Sequence, residues 1–168
     1  MDQSDVKQWL DARMCAQLRI DRLNAAYARC IDSDELEAWP DFFDEGCLYT
    51  VTSDDNHRRG FVGGIVYADS VGMLRDRVSG LREANIYEGH RYRHLVGPAS
   101  VLSLEDGRAR AETPFAVYRI MRTGRTDLFV TGRYVDVLRL DAGDEAKIVE
   151  RRVVCDSSSF DTLLAIPL

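Results

Sequence analysis

Four long β-prone runs fill the second half of this 168-residue chain: Tyr92 to Leu104, Ala109 to Met121, Leu128 to Leu140 and Lys147 to Cys155. Between them lie Glu105-Asp106-Gly107, Thr123-Gly124-Arg125 and Asp141-Ala142-Gly143-Asp144, each a short polar turn containing glycine. Turns of this kind join antiparallel neighbours, whereas a parallel pair needs a crossover of roughly a dozen residues or more. The runs therefore predict an antiparallel meander. In the third run Leu128, Val130, Tyr134, Leu138 and Leu140 hold even positions while Phe129, Val135 and Val137 hold odd ones. Both faces are partly apolar, so helices are expected on one side and a tail or another chain on the other.

The first half has a different period. Trp9, Ala12, Ala16, Ile20, Leu23, Tyr27 and Cys30 recur at steps of three and four, which predicts one amphipathic helix from about residue 5 to residue 31. Asp32-Ser33-Asp34-Glu35 reads as a capping box opening a short helix with Leu36 and Trp39, which Pro40 should stop. Cys47 to Thr52 is β-rich, Ser53 to Gly60 reads as a polar turn, and Phe61 to Tyr67 reads as a short strand in which Gly63-Gly64 allows a bulge or a close backbone approach. Asp69-Ser70 caps a third helix carrying Val71, Leu74, Val78 and Leu81. Helices followed by a curved, mostly antiparallel sheet make an α+β fold, an open cone wrapped around the long helix. No linker or repeat divides the chain, so residues 1–168 are expected to form a single domain.

A net charge of -6 with interleaved acids and bases argues against nucleic acid or an anionic membrane as partner. Cys15, Cys30, Cys47 and Cys155 are scattered, as befits buried free thiols in a reducing compartment. The first residues lack the basic and apolar regions of a signal peptide, and no apolar run approaches the ~20 residues of a membrane span. A cytoplasmic location is the expectation.

Two candidate sites emerge. His90 and His94 would share one face of a strand, and a two-histidine iron site would need a carboxylate such as Asp54, Asp69 or Glu88, none of which the spacing selects. The alternative is that both histidines are hydrogen-bonded in a core or at a subunit contact. The second candidate joins Tyr27 and Asp32 at the end of the first helix, Tyr49 on the first strand and His94 at the start of the meander. Converging inside a cone, they would form an Asp–His base with tyrosines to polarise a carbonyl, the equipment of a stand-alone lyase or isomerase. With no chemistry, the same interior would suit a small-ligand-binding cone protein. Against this, Tyr27 is core by helical phase and Asp32 fits a cap. The Cys-x-His elements of a Rieske centre, a Walker loop and a Gly-x-Ser-x-Gly elbow are all missing from the sequence.

The order of elements resembles the nuclear-transport-factor-2-like cone, and within it the small (β) subunits of aromatic-ring-hydroxylating Rieske dioxygenases. The residues that carry the resemblance are Tyr27-Ala28-Arg29-Cys30-Ile31-Asp32 with Trp39 and Phe42-Phe43, Tyr92 to Gly97, Thr113 to Arg119, Gly132 to Asp136, Glu150 to Asp156 and the tail Asp161 to Leu168. Asp55-Asn56-His57, Gly64 to Ser70 and Arg82 to Glu88 resemble the small subunits of the branch acting on terephthalate. The resemblance implies a chain with no catalytic, cofactor-binding or metal-binding residue of its own. It implies a large α partner carrying the Rieske [2Fe-2S] cluster and mononuclear Fe(II), an α3β3 assembly, and electrons from an NAD(P)H-dependent reductase. Trp9 and the Phe160 to Leu168 tail are expected near subunit contacts.

Overall fold

A computed structural model describes residues 2–84, 89–140, 145–159 and 164–168. Helix α1 (Gln3–Asp32) leads into a 3-10 helix (Leu36–Phe42), strand β1 (Phe43–Ser53), a short helix α2 (Asp54–Arg58), β2 (Val66–Ala68) and α3 (Val71–Ala84). Five strands follow: β3 (His90–Val96), β4 (Ser100–Glu105), β5 (Arg108–Met121), β6 (Thr126–Leu140) and β7 (Ala146–Cys155). With β1 and β2 they form one seven-stranded sheet among the described residues, of order β2-β1-β7-β6-β5-β3, with β4 also on β5. The β5–β6 and β6–β7 pairs are antiparallel, as the turns predict. The last predicted turn, Asp141 to Asp144, lies outside the described residues. β1 pairs with β7 in parallel, which joins the helical half to the far end of the chain.

The helical phase holds for the second half of α1, where Ala16, Ile20, Tyr27 and Cys30 are buried. It fails at the start. Trp9 is 51% exposed and Ala12 also faces solvent, because the helix outruns the sheet it packs on. Leu10, Met14 and Leu18 are exposed there too.

Asp32 to Glu35 forms no capping box. It ends α1 instead: Glu35 N–H bonds the Cys30 carbonyl, Asp34 N–H bonds the Ile31 carbonyl, and Asp34 takes a left-handed φ of 61°. This is a Schellman ending with Asp in the place usually given to glycine. Pro40 does not stop the next helix, because a short 3-10 segment carries it inside. Ser53 to Gly60 is not a plain turn. The Ser53 hydroxyl accepts from Asn56 N–H and caps α2.

The strand expected from Tyr92 to Leu104 is two strands, both paired with β5. Between them Pro98 offers no amide, Gly97 N–H bonds the Pro114 carbonyl, and Ala99 N–H bonds the Asp21 carboxylate. The strand expected at 61–67 is reduced to β2, while the close approach is real at Gly64 but not at Gly63: a Cβ on Gly64 would lie 2.3 Å from the Val51 carbonyl oxygen, and one on Gly63 would meet nothing within 4 Å. The Ser70 hydroxyl caps α3 through Met73 N–H, and Leu74 and Val78 reach the core as predicted.

The mixed pattern in β6 has a local cause. A bulge opposite Val117 and Tyr118 shifts the register, so Phe129 turns inward to stack on Tyr92 at 5.4 Å while Leu128 faces out. Trp39, Phe43, Tyr49 and Tyr27 are buried and meet edge to face at 5.2–6.2 Å, a geometry that aromatic pairs prefer. Three of the four thiols are buried, but Cys15 is exposed on the outer face of α1.

Candidate functional site

Helix α1 ends on strand β3, and the contact is made by Asp32. Its carboxylate accepts the His94 backbone N–H at 3.0 and 3.2 Å and approaches His94 Nδ1 to 2.6 Å. Both side chains are almost fully buried, and Arg93 adds a longer ion pair at 3.5 Å. His94 faces inward because β3 alternates, placing His90, Tyr92 and His94 on one face. Its Nε2 has no hydrogen-bond partner among the described residues. The pair lies on the wall of a cleft of about 690 Å³ between α1 and β3, bordered by Arg29, Arg93, Leu95 and Pro98.

Tyr27 and Tyr49 point elsewhere. Tyr27 Oη donates to the Leu168 main-chain oxygen at 2.8 Å, and Tyr49 Oη donates to the same oxygen at 3.3 Å while accepting Leu168 N–H at 3.2 Å. Burial pushes both phenols above their ordinary range, so they remain protonated donors at neutral pH. The four residues expected to converge thus form two pairs with different partners. Asp32 and His94 hold each other, and both tyrosines hold the tail. The described part of that tail is internal: Leu164, Ile166, Pro167 and Leu168 are buried in the chain's own core.

The iron-site candidate does not assemble. Tyr92 stands between the two imidazoles, 5.1 Å from His90 and 6.1 Å from His94 between ring centres. Asp54 is held by Arg58 and Arg133, Asp69 bonds the Tyr67 hydroxyl, and Glu88 lies outside the described residues. Among the described residues no group of three or more His, Cys, Asp or Glu is placed to hold a metal.

A third polar cluster escapes sequence reasoning. Arg151, fully buried, is held by Asp136 at 3.0 and 2.7 Å and by the Asn24 carbonyl oxygen at 2.6 Å. Its guanidinium lies over the rings of Tyr27 and Tyr134, 4.4 and 4.0 Å from their centres. Burial lifts the Asp136 carboxyl above its ordinary value, and Arg151 opposes that shift. The signal was present in the alternation: Asp136 shares the inward phase of Tyr134 and Leu138, and Arg151 that of Val153 and Cys155.

A sheet of this order closed over a long helix, with its interior filled by aromatic rings and the tail, defines the nuclear-transport-factor-2-like class of cone. The family model described as "ring hydroxylating beta subunit" matches residues 26–162. The chain belongs to that family. It is 52% identical over 155 residues to a β subunit of the terminal oxygenase component of terephthalate 1,2-dioxygenase from Comamonas, covering 92% of this chain and 100% of that one. The anthranilate 1,2-dioxygenase small subunit of Burkholderia cepacia is 34% identical over 98% of this chain and 96% of its own length. Among solved structures, a β subunit assigned to an aromatic-ring-hydroxylating dioxygenase of Novosphingobium aromaticivorans superposes with a TM-score of 0.85 at 38% identity, covering 94% of this chain and 99% of that one. The chain is therefore a small subunit of the aromatic-ring-hydroxylating dioxygenase kind. None of the described helices is long and apolar enough to cross a membrane.

Proposed function

We propose that this chain is the non-catalytic β subunit of a Rieske-type dioxygenase that cis-dihydroxylates terephthalate or a closely similar aromatic carboxylate. The observation that carries the reading is 52% identity along the entire length of a terephthalate dioxygenase β subunit, against 34% for the anthranilate counterpart. In this reading the whole chain is one domain, works in the cytoplasm and contributes no catalytic, cofactor-binding or metal-binding residue. The α partner holds the Rieske [2Fe-2S] cluster and the mononuclear Fe(II), an NAD(P)H-dependent reductase supplies electrons, and the assembly is α3β3. The chemistry of the α subunit adds both atoms of dioxygen to the ring; this chain's residues shape and hold the assembly. The lyase reading has less support, since the phenols it needs are engaged by Leu168 rather than by the Asp32–His94 pair.

Co-expression with a candidate α chain tests the proposal. Dihydrodiol should form from terephthalate only with both chains and the reductase present, and native mass spectrometry should give three copies of each subunit. Iron bound by the isolated β chain, or turnover without α, would sink the idea. A complex that oxidises anthranilate but not terephthalate would overturn the substrate assignment alone.

A further inference from the structure

Strand β3 ends the sheet, so among the described residues no strand lies along its outer edge. An open edge is a row of unpaired donors and acceptors, and α1 caps this one with side chains. The Arg13 guanidinium bonds the Val101 carbonyl, the Asp21 carboxylate accepts Ala99 N–H at 2.7 Å, and the Asp32 carboxylate accepts His94 N–H at 3.0 Å. The caps leave a gap at Val96. Alternate residues of an antiparallel strand turn their polar groups the same way, so Val96 presents N–H and C=O to the side of His94, while Gly97 bonds Pro114 on β5. Among the described residues no side chain meets either group of Val96. Here α1 lines the cleft with Ala25 and Ala28, which have no polar group to offer, and Leu95 and Pro98 make the strand side apolar.

The charge around the gap is one-sided. Arg22, Arg29, Arg91 and Arg93 are exposed along this edge. The first three have no carboxylate partner among the described residues, and Arg93 reaches Asp32 only at 3.5 Å. Asp21 and Asp32, the two carboxylates in the cleft, already hold edge N–H groups. We propose that an extended, acidic segment of the α partner adds here as a short strand, pairing its backbone with Val96 and its carboxylates with Arg29 and Arg93. This rests on the reading of the chain as a β subunit. The backbone pairing asks only for an extended segment, and the guanidiniums select an acidic one. The caps at His94 and Ala99 confine the added strand to the few residues between them. A second copy meeting this edge would set the same arginines against each other, which disfavours that occupant.

The experiment uses the full-length chain with a candidate α chain. Leu95, exposed at the rim, is replaced by the photo-crosslinking residue p-benzoylphenylalanine, and the cross-linked peptide is sequenced. It should come from α and be rich in Asp and Glu. Val96→Pro removes the amide that the added strand needs and leaves the β5 side of the ladder intact. It should weaken association with α roughly ten-fold relative to Val96→Ala, which keeps the amide, with the thermal midpoint of the isolated chain little changed. Arg29→Glu should weaken association most at low salt. The proposal is overturned if the cross-link in a formed complex lands on a second copy, on a basic segment or nowhere. It is equally overturned if Val96→Pro and Val96→Ala bind α alike, or if Arg29→Glu binds as tightly as the unaltered chain at low salt. Should Val96→Pro fail to fold, the cross-link and Arg29→Glu decide. Failure of the unaltered chain to associate with any α chain would refute the β-subunit reading itself, and this proposal with it.

Discussion

Arg151 and Asp136 face each other across β6 and β7 with no exposure to water, and each makes the other tolerable. Removing one partner leaves an uncompensated buried charge, so Arg151→Met should cost about 3–5 kcal/mol in urea unfolding. Adding Asp136→Leu to that variant should recover most of the loss, since the remaining charge goes with it. A double variant no better than the single one would show that the pair is not the source of the cost. His94 distinguishes subunit from enzyme. His94→Ala empties a buried position and takes a charge-assisted hydrogen bond from Asp32, so loss of activity in the complex should track loss of β folding or assembly. A large fall in turnover with assembly intact would revive catalysis at this residue.

The thiols give a pH prediction at the same scale. Burial raises the Cys155 thiol from 9.0 to about 12 and the Cys30 thiol from 9.0 to about 11. The folded chain therefore holds these protons more tightly than the unfolded one. That contribution to stability is complete below pH 9 and is lost as pH rises from there through 11 and 12. Iodoacetamide at pH 8 should label Cys15 alone, with Cys30, Cys47 and Cys155 reacting on unfolding.

Along α1 the same residue classes have different weights. Ile20→Ala removes a fully buried side chain and should cost about 2–5 kcal/mol, while Trp9→Ser and Met14→Ser should each change the isolated chain by less than about 0.5 kcal/mol. Helical phase marked Trp9 and Ile20 as equivalent, because periodicity says which face is apolar and nothing about where the opposing sheet ends. Local signals succeeded where the cause is local: the Ser70 cap, the tight β4–β5 and β5–β6 hairpins and the close approach at Gly64. They failed at Gly97-Pro98-Ala99, where the break in pairing depends on Pro114 and Asp21 from other elements. Gly132 shows a further constraint of this kind. A Cβ there would fall 2.2 Å from the Val154 carbonyl oxygen and 3.1 Å from the Phe115 ring, so Gly132→Ala should destabilise the chain, measured as a lower midpoint in thermal unfolding.

For the whole molecule, the α+β class and most of the sheet order follow from the sequence of turns, since hairpins settle their own neighbours. The candidate site was half legible: Asp32 and His94 do meet, while the partner of the tyrosines, Leu168, lies over a hundred residues from either. No local pattern encodes such a contact. The parallel pairing of β1 with β7 is hidden for the same reason, and it imposes an order of events during synthesis. Phe43–Ser53 leaves the ribosome early, and its neighbour is complete only when Cys155 has followed. For about a hundred residues of translation, at roughly 5–20 residues per second, an apolar strand waits with its edge unpaired. Newly made chains should therefore be sensitive to proteases between Phe43 and Ser53 until β7 emerges, and slowing translation beyond codon 53 should lower the soluble yield.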